Sequence, residues 1–372
     1  MQFIDLKYQY GRMQDEIKSA INKVLDHGQY IMGPEIFQLE DILANYVGTK
    51  YCISCSSGTD ALIMPLMAYN IAPGDAIITT PFTYIATAEV IQLLGATPVF
   101  VDIDEKTFNI SPEKLERKIK QINLEGKINI KAIISVDLFG LPANLEAISK
   151  IAKKYSLKLI IDSAQGFGSS IKGKKTCSFG DVGVTSFFPA KPLGCYGDGG
   201  AIFTNDENMR NMLVSIRTHG QGKDKYNNER IGINGRLDTI QAAVLSVKFK
   251  YFNEEIVLRN EVSNYYIKKL NSNFISQFVP REYKSVWAQF TVLAKSNKHR
   301  KLLMEKLMMN KIPTAIYYPK PLHLQNAFKN LKYKKGDFPI SEKISKIIFS
   351  PPMHPYLKKN SIEKITSIIN EL

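Results

Sequence analysis

The sequence is poor in the features that would place it in a membrane, on a nucleic acid or outside the cell. No apolar run in its 372 residues approaches the ~18 that a membrane-spanning helix needs, so no membrane partner is expected. The first residues, MQFIDLKYQYGRM, carry Asp5 and Lys7 where a secretory signal needs an apolar core, which makes the cytoplasm the expected location. Cysteine is scarce, with 4 in all, and Cys52 and Cys55 form a CxxC that lacks a second close pair. Packed thiols are predicted there, and no metal. Arginine supplies only nine of the 49 basic residues, and the lysines behind the formal charge of +14 are scattered. Without zinc-finger spacing, or a basic run interleaved with aromatics, no nucleic-acid partner is expected. The positive field suits an anionic small substrate instead.

What is present is the content of an ordinary globular chain, 44% hydrophobic and long enough for two domains. From about residue 50 to 205, short β-rich runs alternate with amphipathic stretches. The strand candidates are 51–55, 76–79, 98–103, 131–136, 157–161, 182–188 and 201–204; helices are expected over 59–69, 85–94 and 145–155. That alternation predicts an α/β fold with a mostly parallel sheet and helices on both faces. A long helix is expected over 238–270, then a strand over 286–293 and helices near 297–309, 341–348 and 361–372. The expected division is a large α/β domain over 1–247 and a smaller α+β domain over 248–372. Residues 118–131 read as a solvated connection.

Four places in the sheet region carry chemistry. Asp162 ends an apolar strand, and strand carboxyl ends are where open α/β sheets bind ligands. Lys191 stands in SFFPAKPLGCYGDGGAIFTND, between Ser186 and a glycine-rich turn, directly after another buried strand. Ser56, Ser57, Gly58 and Thr59 follow a strand and precede a helix, which offers backbone N–H groups to a phosphate or simply caps the helix. Tyr84, in PFTYIATAE, also follows a strand, as a ring that stacks on a planar cofactor or as a core aromatic. A lysine able to form a Schiff base and a carboxylate able to pair with a pyridinium nitrogen are the two groups pyridoxal phosphate chemistry most needs.

Nine motifs, FIDLKYQY, HGQYIMGPE, SSGTDAL, PFTYIATAE, DSAQGFG, SFFPAKPLGCYGDGGAIFTND, INGRLDTIQAA, YYPKPLH and PPMHPYL, run through essentially the whole chain. In them the sequence resembles the DegT/DnrJ/EryC1/StrS nucleotide-sugar aminotransferases, pyridoxal 5'-phosphate enzymes of fold type I. The resemblance implies that Lys191 is the Schiff-base lysine, Asp162 the partner of the pyridine nitrogen and Gln165 the residue near the phenolic oxygen. By the same likeness Gly58, Thr59 and Ser186 contact the phosphate, Tyr84 stacks on the ring, and Asn234 reaches the phosphate of a neighbouring subunit. A homodimer with shared active sites follows. Glutamate is the implied donor, leaving as 2-oxoglutarate.

Within the family the likeness is to enzymes that aminate a UDP-linked 3-oxo-2-acetamido sugar of the glucuronate type for bacterial surface polysaccharide (O-antigen, lipopolysaccharide). It implies substrate contacts from Gly28, Tyr30, Arg236, Tyr317 and Tyr318. His323 reads equally as a substrate contact or a packed residue. Ala190 and Tyr317 stand where such relatives can carry serine and histidine. The rival readings are an aminotransferase for a 4-oxo or 3-oxo 6-deoxy UDP- or dTDP-sugar, a sugar dehydratase, and a non-catalytic regulatory protein. A dehydratase would carry histidine at Lys191, and a regulatory protein would be expected to lose Lys191 or Asp162.

Overall fold

In a computed structural model, every residue except 127 and 225 is described. The first 47 residues, for which the sequence reading names no element, form helices α1 (Leu6–His27) and α2 (Pro34–Val47). Helix α1 starts on Asp5, whose side chain accepts from the Tyr8 N–H (3.0 Å), and ends on Gly28 at φ 70°. Then come β1 (Tyr51–Cys55), α3 (Gly58–Ala68), β2 (Asp75–Thr79), α4 (Ala86–Leu93), β3 (Thr97–Phe100), α5 (Pro112–Glu125), β4 (Asn129–Val136), α6 (Leu145–Lys154) and β5 (Lys158–Asp162). A small β6 (Ser170–Ile171) and β7 (Lys174–Lys175) precede β8 (Val182–Ser186), β9 (Gly200–Thr204) and α7 (Glu207–Arg217). The central sheet has seven strands in the order β1-β9-β8-β5-β4-β2-β3, parallel throughout except for β9.

Both faces of the sheet are covered, which is why its strands read as apolar runs. Side chains of one pleat face, such as Ile53, Ile77, Ile134 and Ile160, pack under α3, α4 and α7. The other face meets α5 and α6 through Ile133, Leu159 and Ile161, and meets α2 and α8 (Thr239–Lys269) through Phe203 and Leu245. Cys52 and Cys55 lie in these two opposite cores, and all four cysteines are free and buried. Among the described residues no group of three His, Cys, Asp or Glu is placed to hold a metal ion, and no helix is long and apolar enough to cross a membrane.

Helix α8 runs unbroken past residue 247, and its far end, with Val262 and Tyr266, enters a separate core. That core holds α9 (Asn297–Met309) and α11 (Lys359–Asn370), with β12 (Val292–Leu293) and β13 (Ile348–Phe349), and β10 (Ile275–Ser276) pairs with β12 at its edge. Strand β11 (Tyr283–Lys284) instead joins β6, and α10 (Pro339–Ile347) packs near the sheet.

Two expectations are corrected. The strand read over 286–293 shrinks to Val292–Leu293, because Val286 N–H bonds to Gly140 O (3.0 Å) and Trp287 takes φ 48°, so the chain wraps over a loop instead of pairing. Residues 118–125, read as solvated connection, belong to α5, which buries Leu115, Ile119 and Ile122 at helical spacing beneath a dense polar face. Of that stretch, residue 127 lies outside the described residues, and β4 begins at Asn129.

Candidate active site

Asp162 closes β5, in the middle of the sheet, and is almost fully buried. Its carboxylate accepts from Thr87 Oγ1 (2.8 Å) and from the Ala164 N–H (3.1 Å). Burial pushes its proton affinity up, while these two bonds and the charge of Lys191 pull it down. Lys191 is half-buried in the loop after β8, with its N–H on Phe188 O (2.8 Å). Burial lowers the proton affinity of its amine, opposed by the charge of Asp162. A neutral amine is thereby made more accessible near neutrality, as a nucleophilic lysine requires.

The glycine-rich turn after Lys191 is held by Cys195 N–H on Phe187 O (2.8 Å) and Tyr196 N–H on Gln241 Oε1 (2.8 Å) from α8. At Gly194 a Cβ would fall 2.5 Å from Phe188 O, so the turn can close only on glycine. Beside it lies the start of α3, capped by Ser57 Oγ accepting from the Asp60 N–H (3.0 Å). A Cβ at Gly58 would lie 2.5 Å from Ser186 Cβ. Gly58, Thr59 and Ser186 therefore converge, offering first-turn N–H groups and a hydroxyl to an anion.

Gln165 is clamped by the Phe139 N–H donating to its Oε1 (2.7 Å), and its Nε2 donates to Tyr318 OH (2.9 Å). The Tyr318 ring lies 6.5 Å from that of Tyr84, which is 58% exposed, and Tyr317 packs 5.9 Å from Tyr318. The INGRL loop joins the same region. Ser56 N–H bonds to Gly235 O (3.0 Å), and Arg236 Nη2 donates to Asn234 Oδ1 (2.6 Å) on the exposed side. Tyr30, exposed two residues beyond Gly28, reaches the start of α8 through its carbonyl, which accepts from Thr239 N–H (3.0 Å). His323 is placed differently: it is buried, bonded to Glu342 Oε1 (3.1 Å) and packed on Phe338 (4.7 Å). Sequence reasoning missed Thr87, whose signal was its place one helical turn after Tyr84 in PFTYIATAE.

A mostly parallel sheet with a lysine and an acid at its strand ends is the architecture of fold type I aminotransferases. The chain belongs to the DegT/DnrJ/EryC1/StrS aminotransferase family, whose description matches residues 12–370. A UDP-2-acetamido-2-deoxy-3-oxo-D-glucuronate aminotransferase from Pseudomonas aeruginosa is 47% identical, covering 99% of both chains. Among solved structures, a DegT DnrJ EryC1 StrS aminotransferase from Brucella abortus superposes with a TM-score of 0.96 at 45% identity, over 100% of this chain and 99% of its own. DesV from S. venezuelae, in complex with a ketimine intermediate, superposes with a TM-score of 0.94 at 32% identity, over 100% and 97%.

Proposed function

We propose that this protein transfers an amino group from glutamate to the keto carbon of a UDP-linked 3-oxo-2-acetamido sugar of the glucuronate type, with pyridoxal 5'-phosphate as cofactor. The observation that carries the chemistry is the placing of Asp162 at the end of β5 and of Lys191 in the loop after the neighbouring strand β8, beside an anion cradle at Gly58 and Ser186. These residues fit the cofactor's aldehyde, ring nitrogen and phosphate in kind and in number. When bound, the cofactor supplies an electron sink for the carbon that loses its proton.

The chain's own groups do the rest. The Lys191 amine would anchor the aldehyde and, once freed by the donor's amine, would carry the α-proton from the donor to the cofactor carbon, and in the second half-reaction from that carbon to the sugar carbon. With the cofactor bound, Asp162 would hold a proton at the ring nitrogen, Gln165 would meet the phenolic oxygen and Tyr84 would stack on the ring. Gly58, Thr59 and Ser186 hold the phosphate, with Asn234 supplied by the second subunit of a homodimer. Gly28, Tyr30, Arg236, Tyr317 and Tyr318 face the sugar nucleotide, and the Arg236 guanidinium suits its carboxylate. For His323, its bond to Glu342 and its burial favour the packed role over substrate contact. The division at residue 247 belongs to this reading, as do a cytoplasmic location and a role in surface polysaccharide synthesis.

The sugar assignment is supported by the Pseudomonas aeruginosa relative. Mass spectrometry of products formed from glutamate and a panel of UDP- and dTDP-linked oxo sugars tests it. Amination of the UDP-3-oxo-glucuronate substrate is expected, and a 6-deoxy sugar reacting in its place would select the rival substrate.

A further inference from the structure

Directly behind the turn Asp162–Gln165 lies an acid that none of these steps uses. Asp137, just past β4, is fully buried, and its N–H donates to Asp162 O (3.0 Å). Its Oδ1 accepts from the Ala143 N–H (3.0 Å), and its Oδ2 accepts from Ser163 Oγ, which shares a second contact with Thr176 Oγ1 (2.8 Å). A Cβ at Gly166 would lie 2.5 Å from Asp137 Cβ, so acid and turn touch. Two residues on, Phe139 clamps Gln165, taking φ 62° to do so.

Asp137 acts on the Cys177 thiol and the Tyr283 phenol, and the charge of Asp162 acts on Asp137. Burial raises the thiol and the phenol, which leaves them neutral, so the charge that faces Asp137 is that of Asp162. Burial also raises Asp137 itself to about 7, partly offset by Ser163 and Ala143, so it ionises within the neutral range.

We propose that Asp137 is a positioning residue: through Ser163 it fixes the turn that presents Asp162 and Gln165, and it sets a second carboxylate behind the acid that faces the cofactor ring. The inference rests on the reading of Asp162 as the ring-nitrogen partner. A negative charge at this depth favours every protonated form in front of it. Asparagine would keep the shape and the bond from the Ala143 N–H, with the Ser163 contact reversed so that its hydroxyl accepts from the amide, but not the charge, so geometry and electrostatics can be separated.

The test compares holoenzyme of wild type, Asp137→Asn and Ser163→Ala by the pH midpoint of the visible band of bound pyridoxal phosphate and by the half-saturating cofactor concentration. In D137N the midpoint is expected to fall by about half a unit or more. In S163A, cofactor affinity is expected to weaken roughly tenfold, because the turn loses its tie to Asp137. An unchanged midpoint in D137N, or an unchanged affinity in S163A, overturns the proposal while a yellow wild type preserves the reading of Lys191 and Asp162. A wild type that takes up no cofactor overturns that reading, and this proposal with it.

Discussion

Beneath α1 and α8 lies a second buried polar cluster, and it differs from the one at the strand ends in how its charges are met. There Glu255 accepts from Gln9 Nε2 at both oxygens (3.0 Å each) and from Tyr356 OH, while Lys248 and Arg259 act on it from the same helix. Burial pushes Lys248 down to about 8 and His354 down to about 4. Shifted proton affinity is thus as marked in this cluster as around Lys191. At the strand ends, however, the lysine and acid adjoin a helix N-terminus and the exposed rings of Tyr84 and Phe188. Burial alone shifts proton affinities; donors and rings facing solvent beside the shifted groups are what make a site for a ligand.

Substitutions should separate the two clusters by what they damage. Lys191→Ala is expected to lower transamination by at least ~10⁴-fold with little change in melting temperature, measured by steady-state kinetics and calorimetry. For Asp162→Asn the loss in kcat should be roughly 10²–10³-fold, again with the fold intact. Glu255→Ala should do the opposite, costing about 3 kcal/mol in denaturant unfolding, because it leaves Lys248 and Arg259 buried without their carboxylate, while kcat stays near wild type. A large loss of kcat in Glu255→Ala at full stability would erase the contrast.

The smallest effect concerns pH. His354 is kept neutral by burial and by Arg259, opposed by Asp5, so the unfolded chain binds more protons than the folded one between about 4 and the usual histidine value. Stability contributed by the neutral ring is present above that window and is lost as pH falls through it, by about 2–3 kcal/mol. His354→Gln should flatten this part of the stability profile; an unaltered slope would assign the acid sensitivity to other groups.

The sheet was legible because both of its faces are covered, so runs such as Ile133–Ile134 and Leu159–Ile161 go uninterrupted by polar residues. The same logic failed for α5, where a densely charged face hid the stripe of Leu115, Ile119 and Ile122, and for α1, whose buried face is narrow and includes Gln9. Helix α2 does carry a clear stripe, Ile36, Leu39, Leu43 and Val47, between Pro34 and Gly48, and helical periodicity could have found it. In the site, Lys191, Asp162 and the Gly58–Thr59 loop were legible because a strand, a turn and a helix start each leave a local signature. Asp137 and Phe139 were not, since each matters only through a partner 26 residues away that the fold brings alongside.

The central claim is that Lys191 and Asp162 together make a cofactor site, and the visible spectrum on adding pyridoxal phosphate tests it most directly. Wild type should turn yellow, and the band should vanish in Lys191→Ala under the same conditions. A wild type that stays colourless, or a Lys191→Ala protein with an unchanged band, would contradict the account.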